Sequence, residues 1–149
     1  MEPAAQAPIL LIVEDDILPA IALRDELEAA GYVVMDLTER HQEALSAAKA
    51  RKPDLALVNI ELQGRDDGIE LARELKEIGV PVLFISGQTS RARSAGTVAI
   101  ASLPKPYSAI DMVHAVDYLL RHLKGGPPAA PPAHLELFDS APTLEPDPA

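Results

Sequence analysis

The chain has 149 residues, of which 48% are hydrophobic and 24% are charged, a balance typical of one soluble globular domain with its own core. The net charge of −10 argues against direct binding to nucleic acid, because contacts to phosphate need clustered Lys and Arg. No apolar run approaches the roughly 18 residues of a membrane span, and no signal segment is evident. The absence of cysteine excludes disulfides and thiolate metal sites and predicts a cytoplasmic protein.

The composition divides the chain into three parts. The stretch 125–149 holds seven of the fourteen prolines, four acidic residues and no Lys or Arg, and such a stretch is a poor former of helices and strands. We therefore expect a flexible leader at 1–8, a folded body at 9–124 and a disordered, Pro-rich acidic tail at 125–149. The HLELF stretch within this tail is a candidate docking motif, although single apolar clusters are common in tails.

Apolar runs and helical patterns alternate along the body. Short apolar runs with β-branched residues predict five buried strands, at 9–13, 32–37, 54–59, 80–86 and 98–103. Helical patterns follow them at 17–31, 38–52, 67–79, 87–97 and 108–126, and the fourth is the weakest because it is rich in Gly, Ser and Thr. Pro19 is tolerated in a first helical turn. Candidate helix caps are Thr38, Asp67 and Ser108, and candidate helix ends are Gly31 and Gly125.

Five strands that are each followed by a helix predict a doubly wound α/β fold, with a five-stranded parallel sheet and helices on both faces. In such folds the functional crevice lies at the carboxyl ends of the strands, where the strand order reverses. Polar residues at these ends are therefore the candidates for function. They are Glu14, Asp15 and Asp16 after the first strand, Asn59 in the third, Ser86 in the fourth and Lys105 after the fifth.

Three consecutive acids after a buried strand repel one another. At ~4 Å and an effective dielectric constant near 20, each like-charge pair costs about 4 kcal/mol before screening. A hard cation such as Mg²⁺, bound by carboxylates and water, would compensate for this repulsion. The alternative for this motif alone is that Asp15 or Asp16 caps the first helix while Glu14 points into solvent. Ser86 alone is compatible with an ordinary turn. Lys105 lies between two prolines, a setting compatible with a cis Lys105–Pro106 bond.

Taken together, LIVEDD, PDLALVNIELQGRDDGIELARELKE, VPVLFISG and LPKPY resemble the receiver domain of two-component response regulators over residues 9–123. The resemblance implies a flavodoxin-like receiver fold with a site for Mg²⁺ and for a phosphoryl group taken from a histidine kinase. The implied metal ligands are Glu14, Asp15 and the backbone carbonyl of Glu61. Ser86 and Lys105 correspond to the residues that contact the phosphoryl group.

Two positions depart from the family pattern. Asn59 occupies the position of the aspartate that accepts phosphate, and an amide is not a useful nucleophile towards phosphorus. The missing carboxylate also predicts weak Mg²⁺ binding. Ser102 stands at the switch position, where many receivers have an aromatic residue, so coupling of Ser86 to an aromatic switch is not expected.

These departures leave two interpretations open, neither of them enzymatic. The chain is a phosphorelay receiver whose acceptor is disabled by substitution, or a natural pseudo-receiver that works as a phosphorylation-independent interaction module. In both, output passes to a protein target. A docking surface is predicted on the fourth helix, fifth strand and fifth helix. Tyr118 and Leu119 are candidates for part of it, and the alternative for them is ordinary core packing. A phosphatase of haloacid-dehalogenase type is disfavoured, because its DxD pattern would need an acid where Ile17 stands, and no phosphate-binding glycine loop is present.

Overall fold

The computed structural model describes residues 7–62, 67–87, 89–126 and 130–138. Within these ranges, strands and helices alternate along the chain. The strands are β1 (Ile9–Val13), β2 (Val33–Val34), β3 (Leu55–Asn59), β4 (Val82–Ser86), β5 (Ala101–Pro104) and β6 (Glu136–Leu137). The helices are α1 (Ile17–Ala29), α2 (His41–Ala50), α3 (Gly68–Glu77), α4 (Thr89–Ser94) and α5 (Ala109–Leu123). None of these helices combines the length and the apolar character needed to cross a membrane.

The strands form one sheet in the order β2-β1-β3-β4-β5-β6. The first five are parallel, and β6 is antiparallel to β5. From β1 the chain moves outward to β2 and then returns to β3 on the other side, so the order reverses between β1 and β3. The predicted doubly wound α/β fold with five parallel strands is confirmed, and β6 is an addition to it.

The core lies on both faces of the sheet because β1, β3 and β4 are apolar up to the polar residues that end β3 and β4. Alternate residues of these strands point to opposite faces. Leu11 and Val58 pack with α2, α3 and α4, whereas Leu10 and Leu57 pack with α1 and α5. Strands covered on both faces read as continuous hydrophobic runs, which is why the sequence revealed them.

Most of the predicted helix boundaries are confirmed by their caps. Asp67 accepts a hydrogen bond from the amide of Ile69 at 2.9 Å, and Ser108 accepts one from the amide of Asp111 at 3.0 Å. Gly31 and Gly125 follow helix ends with φ angles of 100° and 75°, a conformation that favours glycine.

The predicted role of Thr38 as a helix cap is wrong, because α2 begins three residues later and Arg40 is its N-cap. The hydroxyl of Thr38 instead donates to the carbonyl of Ile12 at 2.8 Å. Thr38 is buried and forms a parallel bridge with Val13. The chain after β2 thus continues alongside β1 before it turns into the helix.

Of the two candidate docking residues on α5, one is buried and the other is half-buried. Leu119, predicted to contribute to a docking surface, is fully buried in the core. Tyr118 is half-buried and its ring stacks on His122, with the ring centroids 6.0 Å apart. For Leu119 the docking role is therefore wrong and the alternative of core packing is confirmed, because the buried side of α5 is centred on Ala115, Val116 and Leu119.

The expectation of a disordered tail does not hold for residues 135–138. Glu136 and Leu137 form β6, Leu135 is buried, and Phe138 packs against the core. Pro132 is the last proline before this segment. The segment itself contains no proline, so its backbone amides can donate hydrogen bonds to a neighbouring strand. The rest of this prediction concerns ranges that lie outside the described residues, which are 127–129 and 139–149 of the tail and 1–6 of the leader.

We predict that Gly68→Ala lowers the free energy of unfolding by about 1–3 kcal/mol, the usual cost of overpacking. A Cβ at Gly68 would overlap the backbone oxygen of Asn59 and lie 2.7 Å from the Cα of Ile60. Urea unfolding measures the change. The matched control is Gly87→Ala, where the added Cβ has no heavy atom within 4 Å outside residue 87 and its two chain neighbours. Equal losses in the two variants would contradict this explanation.

Candidate functional site

The sheet brings four of the predicted site residues to one edge. Val13 pairs with Val58, and Asn59 pairs with Ile85, so the carboxyl ends of β1, β3 and β4 lie side by side. The residues at these ends are Glu14, Asn59 and Ser86, which are 7%, 3% and 1% exposed. The backbone amide of Lys105 donates to the carbonyl of Ser86 at 2.9 Å and attaches the β5 end to the same edge.

Every polar atom of the Asn59 side chain has a partner. The Nδ2 group donates to Oε2 of Glu14 at 3.0 Å and lies 3.3 Å from the backbone carbonyl of Glu61, to which it also donates. The Oδ1 atom accepts from the amide of Glu61 at 3.2 Å. Asn59 is thus a satisfied buried amide that joins the ends of β1 and β3.

The carboxylate of Glu14 is the buried anion of this site. Besides the amide of Asn59, it accepts from the backbone amide of Asp16 at 3.1 Å and lies 3.6 Å from Nζ of Lys105. The alternative in which Glu14 points into solvent is therefore wrong. Asp16 is the N-cap residue of α1 without a side-chain capping bond, and Asp15 is half-buried.

The charge of Glu14 also affects the pKa of Tyr107. Burial raises the pKa of Tyr107 above 10.0, and the negative charge of Glu14 raises it further. The ring lines a cavity of about 650 Å³ between α1 and the loop that follows β5. Lys105 and Asp16 also line this cavity, so it opens beside the Asn59 site.

The side chain of Glu61 is a functional candidate that the sequence analysis missed. Its carboxylate accepts from the hydroxyl of Ser86 at 2.8 Å and from the amide of Gly87 at 3.3 Å. The resemblance to receiver domains implied a role only for the backbone carbonyl of this residue. Alternation along an extended chain gives residues two apart the same side, and this signal links Glu61 to Asn59.

Ser102 and Lys105 lie where the sequence suggested. Ser102 is 1% exposed in β5, opposite Phe84 of β4 on one side and Glu136 of β6 on the other. The peptide bond between Lys105 and Pro106 is cis. The Lys105 side chain is 36% exposed, so its ion pair with Glu14 is partly screened by water.

The oxygen-rich chemistry of the site suits a hard cation, but its arrangement is incomplete. Glu14 and the carbonyl of Glu61 are oxygen donors of the kind that Mg²⁺ prefers. The amide of Asn59 donates to both of them, which is the contact that a cation between them would make. Within the described ranges, no group of three or more His, Asp and Glu side chains is arranged to hold a metal ion.

A doubly wound sheet with an acid after β1, a hydroxyl ending β4 and a lysine after β5 is typical of a receiver-type signalling domain, and the amide that ends β3 departs from this pattern. Residues 10–117 match the family model of the response regulator receiver domain, and the chain belongs to this family. Receiver domains are non-enzymatic modules of two-component signal transduction, and they typically bind Mg²⁺.

Two curated relatives illustrate the range of this similarity. The transcriptional regulatory protein PdtaR of Mycobacterium tuberculosis (strain H37Rv) is 32% identical over 114 residues, which cover 72% of this chain and 54% of PdtaR. The chain thus spans about half the length of that relative. The polar-differentiation response regulator DivK of Brucella anthropi is 34% identical over 104 residues, which cover 64% of this chain and 83% of DivK.

Solved structures agree with the family assignment. The receiver domain of a modulated diguanylate cyclase from Desulfovibrio desulfuricans G20 has a TM-score of 0.70 at 36% identity, covering 80% of this chain and 97% of that one. A CheY-like receiver domain from Methanospirillum hungatei JF-1 has a TM-score of 0.72 and covers 80% of this chain and 98% of its own. Its identity is 23%, so it supports the fold alone.

We predict that Asn59→Asp, measured by urea unfolding in EDTA at neutral pH, lowers the free energy of unfolding by about 2–4 kcal/mol. The change removes the amide donor 3.0 Å from Glu14 and puts a second buried carboxylate in its place. Millimolar Mg²⁺ should restore part of the loss. In a Glu14→Gln background the same substitution should cost less. An equal cost in both backgrounds would contradict charge repulsion as the cause.

We predict that Glu14→Gln lowers the pKa of Tyr107 but leaves it above the usual value, because burial is the larger cause of the shift. Tyrosinate absorbance in a background of Tyr32→Phe and Tyr118→Phe isolates this group. Asp117→Asn is the control, since Asp117 raises the pKa of Tyr32 instead. Because the pKa of Tyr107 is higher in the folded protein than in the unfolded chain, the free energy of unfolding falls as the pH rises from 10.0 towards the pKa of the folded protein. An unchanged pKa in Glu14→Gln would exclude the electrostatic contribution.

Proposed function

We propose that this chain is a receiver domain of a two-component phosphorelay that does not accept phosphate at position 59 and gives its output through protein–protein interaction. The supporting observation is Asn59 itself. It is 3% exposed at the end of β3, the predicted acceptor position, and its amide is hydrogen-bonded to Glu14 and Glu61. An aspartate there would attack phosphorus through a carboxylate oxygen, and the amide lacks that nucleophile.

The proposed partners follow from the family. A histidine kinase or a phosphorelay protein acts upstream, and a protein target lies downstream. We propose no direct contact with nucleic acid or membrane, in line with the net charge of −10. We further propose a cytoplasmic location, which is usual for receiver domains and agrees with the absence of cysteine.

The proposed metal ligands are Glu14, Asp15 and the backbone carbonyl of Glu61, with weak affinity for Mg²⁺. Weak binding is supported by the contacts of Asn59, whose amide already donates to Glu14 and to that carbonyl. A cation would have to displace these two hydrogen bonds without gaining a third carboxylate. An Asp at position 59 would supply that charge.

The proposed phosphoryl contacts, Ser86 and Lys105, are both directed to carboxylates of the chain. Ser86 donates to Glu61 at 2.8 Å, and Lys105 lies 3.6 Å from Glu14. This internal pairing favours the second candidate function, a natural pseudo-receiver that docks partners without phosphorylation. In that case the Glu61 carboxylate takes the hydrogen bond that a phosphoryl oxygen would accept.

Acetyl phosphate with Mg²⁺ tests these proposals through the formation of a hydroxylamine-sensitive acyl phosphate. We expect no labelling of the unsubstituted chain and clear labelling of Asn59→Asp. Removing the nearby carboxylate with Glu61→Ala should raise the labelling rate of Asn59→Asp by about tenfold, equivalent to about 1.4 kcal/mol in the barrier. Lys105→Ala should lower it.

The labelling results test both the shared premise that position 59 is inert and the choice between the two candidates. An acyl phosphate on the unsubstituted chain would overturn the proposal that position 59 is inert. A folded Asn59→Asp variant that remains unlabelled, even with Glu61→Ala, would favour the pseudo-receiver over the disabled phosphorelay receiver. Circular dichroism of each variant establishes that the fold is kept.

A further inference from the structure

The edge of β5 is occupied by a short segment from the C-terminal part of the chain. Ala101 and Ser102 of β5 lie opposite Leu137 and Glu136 of β6 in antiparallel register. The amide of Phe138 donates to the carbonyl of Ile100 at 2.9 Å. Main-chain pairing of this kind covers polar groups that an edge strand otherwise presents to solvent.

The side chains of this segment straddle the edge of the sheet. Leu135 is 8% exposed and joins the cluster formed with α1 and α5, whereas Phe138 packs against the cluster on the opposite face. Leu137, between them, is 37% exposed. Leu135 and Phe138 therefore anchor the segment, and Leu137 does not.

Two residues at the end of α4 fit the segment specifically. Arg93 donates from Nε to both carboxylate oxygens of Glu136, at 2.8 and 3.1 Å. A Cβ at Gly96 would lie 3.2 Å from Cγ and 3.3 Å from Cδ1 of Phe138, so the absence of a side chain lets the ring approach closely. Arg93 thus binds the acidic residue of the tetrapeptide, Gly96 leaves room for its aromatic ring, and the edge of β5 pairs with its main chain.

We propose that the edge of β5, with Arg93 and Gly96, is a binding site for an extended peptide of the pattern Leu-acidic-any-aromatic. Its resident ligand is the segment 135–138 of the same chain. Strand addition gives such sites affinity through the main chain and specificity through alternate side chains. In the sheet, β4 and β5 separate this edge from β3, which carries Asn59.

Several features make this segment a separable ligand of the domain. The family match ends at residue 117, before the segment begins. The ion pair between Arg93 and Glu136 is exposed, with side-chain exposures of 66% and 33%, and so holds the segment weakly. The covalent connection keeps the segment at a high effective concentration, which favours occupation in the same molecule over an incoming peptide.

The test uses the full-length chain and a fluorescent peptide with the sequence of residues 130–139, APPAHLELFD. Leu135→Asp with Phe138→Asp should release the resident segment. Fluorescence anisotropy should then show peptide binding at least about tenfold tighter than to the unsubstituted chain, where the segment competes at high effective concentration. Leu137→Asp is the matched control in the same segment and should bind the peptide as weakly as the unsubstituted chain.

A charge reversal tests the specificity without removing either apolar anchor. Arg93→Glu should bind a peptide carrying Glu136→Arg more tightly than the original peptide, and the unsubstituted chain should not prefer it. Hydrogen exchange at the backbone amide of residue 138 should be slow in the unsubstituted chain. After correction for the intrinsic rate of the new side chain, it should be faster in the variant with Leu135→Asp and Phe138→Asp, even where peptide binding is weak.

Three results would overturn the proposal. The first is equal peptide binding by the released and unsubstituted chains. The second is equal binding of a peptide in which Leu135 and Phe138 are both replaced by Asp. The third is a concentration-dependent dimer of the unsubstituted chain in which the segment is exchanged between copies, because the occupant would then come from the other molecule.

Discussion

The buried carboxylate of Glu14 is the constraint on which this site depends. A charge that is 7% exposed needs partners, and here they come from three different places in the fold. The amide of Asn59 reaches it from β3, the backbone of Asp16 from the start of α1, and Lys105 from the end of β5. The hydrogen bonds and the ion pair that stabilise this one buried carboxylate therefore hold the ends of three elements together.

Position 59 sets how that anion is neutralised. An amide compensates Glu14 by donating a hydrogen bond, and it does so without bringing a charge of its own. Glu61 then turns its carboxylate to Ser86 and Gly87. The site thus satisfies its polar groups internally, whereas a second carboxylate at position 59 would create a need for a cation.

The fold and most of the site could be predicted from the sequence because both follow from local patterns. A strand that is buried on both faces has a continuous apolar sequence. The polar residue at the end of such a run lies at the carboxyl end of the strand, which is where functional groups lie in a doubly wound sheet. The role of Thr38 and the side chain of Glu61 could not be predicted in this way. Both depend on where a loop passes after a strand, which the apolar pattern does not record. The β6 segment was not predicted because the composition was considered over the whole proline-rich stretch 125–149. Among the described residues of that stretch, only four, 135–138, pair with β5 or pack against the core.

The lengths of the outer strands have a consequence for behaviour at high protein concentration. Strands β2 and β6 flank the sheet and have two residues each. Such short edges present few unpaired amides and carbonyls as a template for another molecule, so edge-to-edge aggregation is disfavoured. Together with a net charge of −10, this arrangement favours a protein that remains dispersed when it is concentrated.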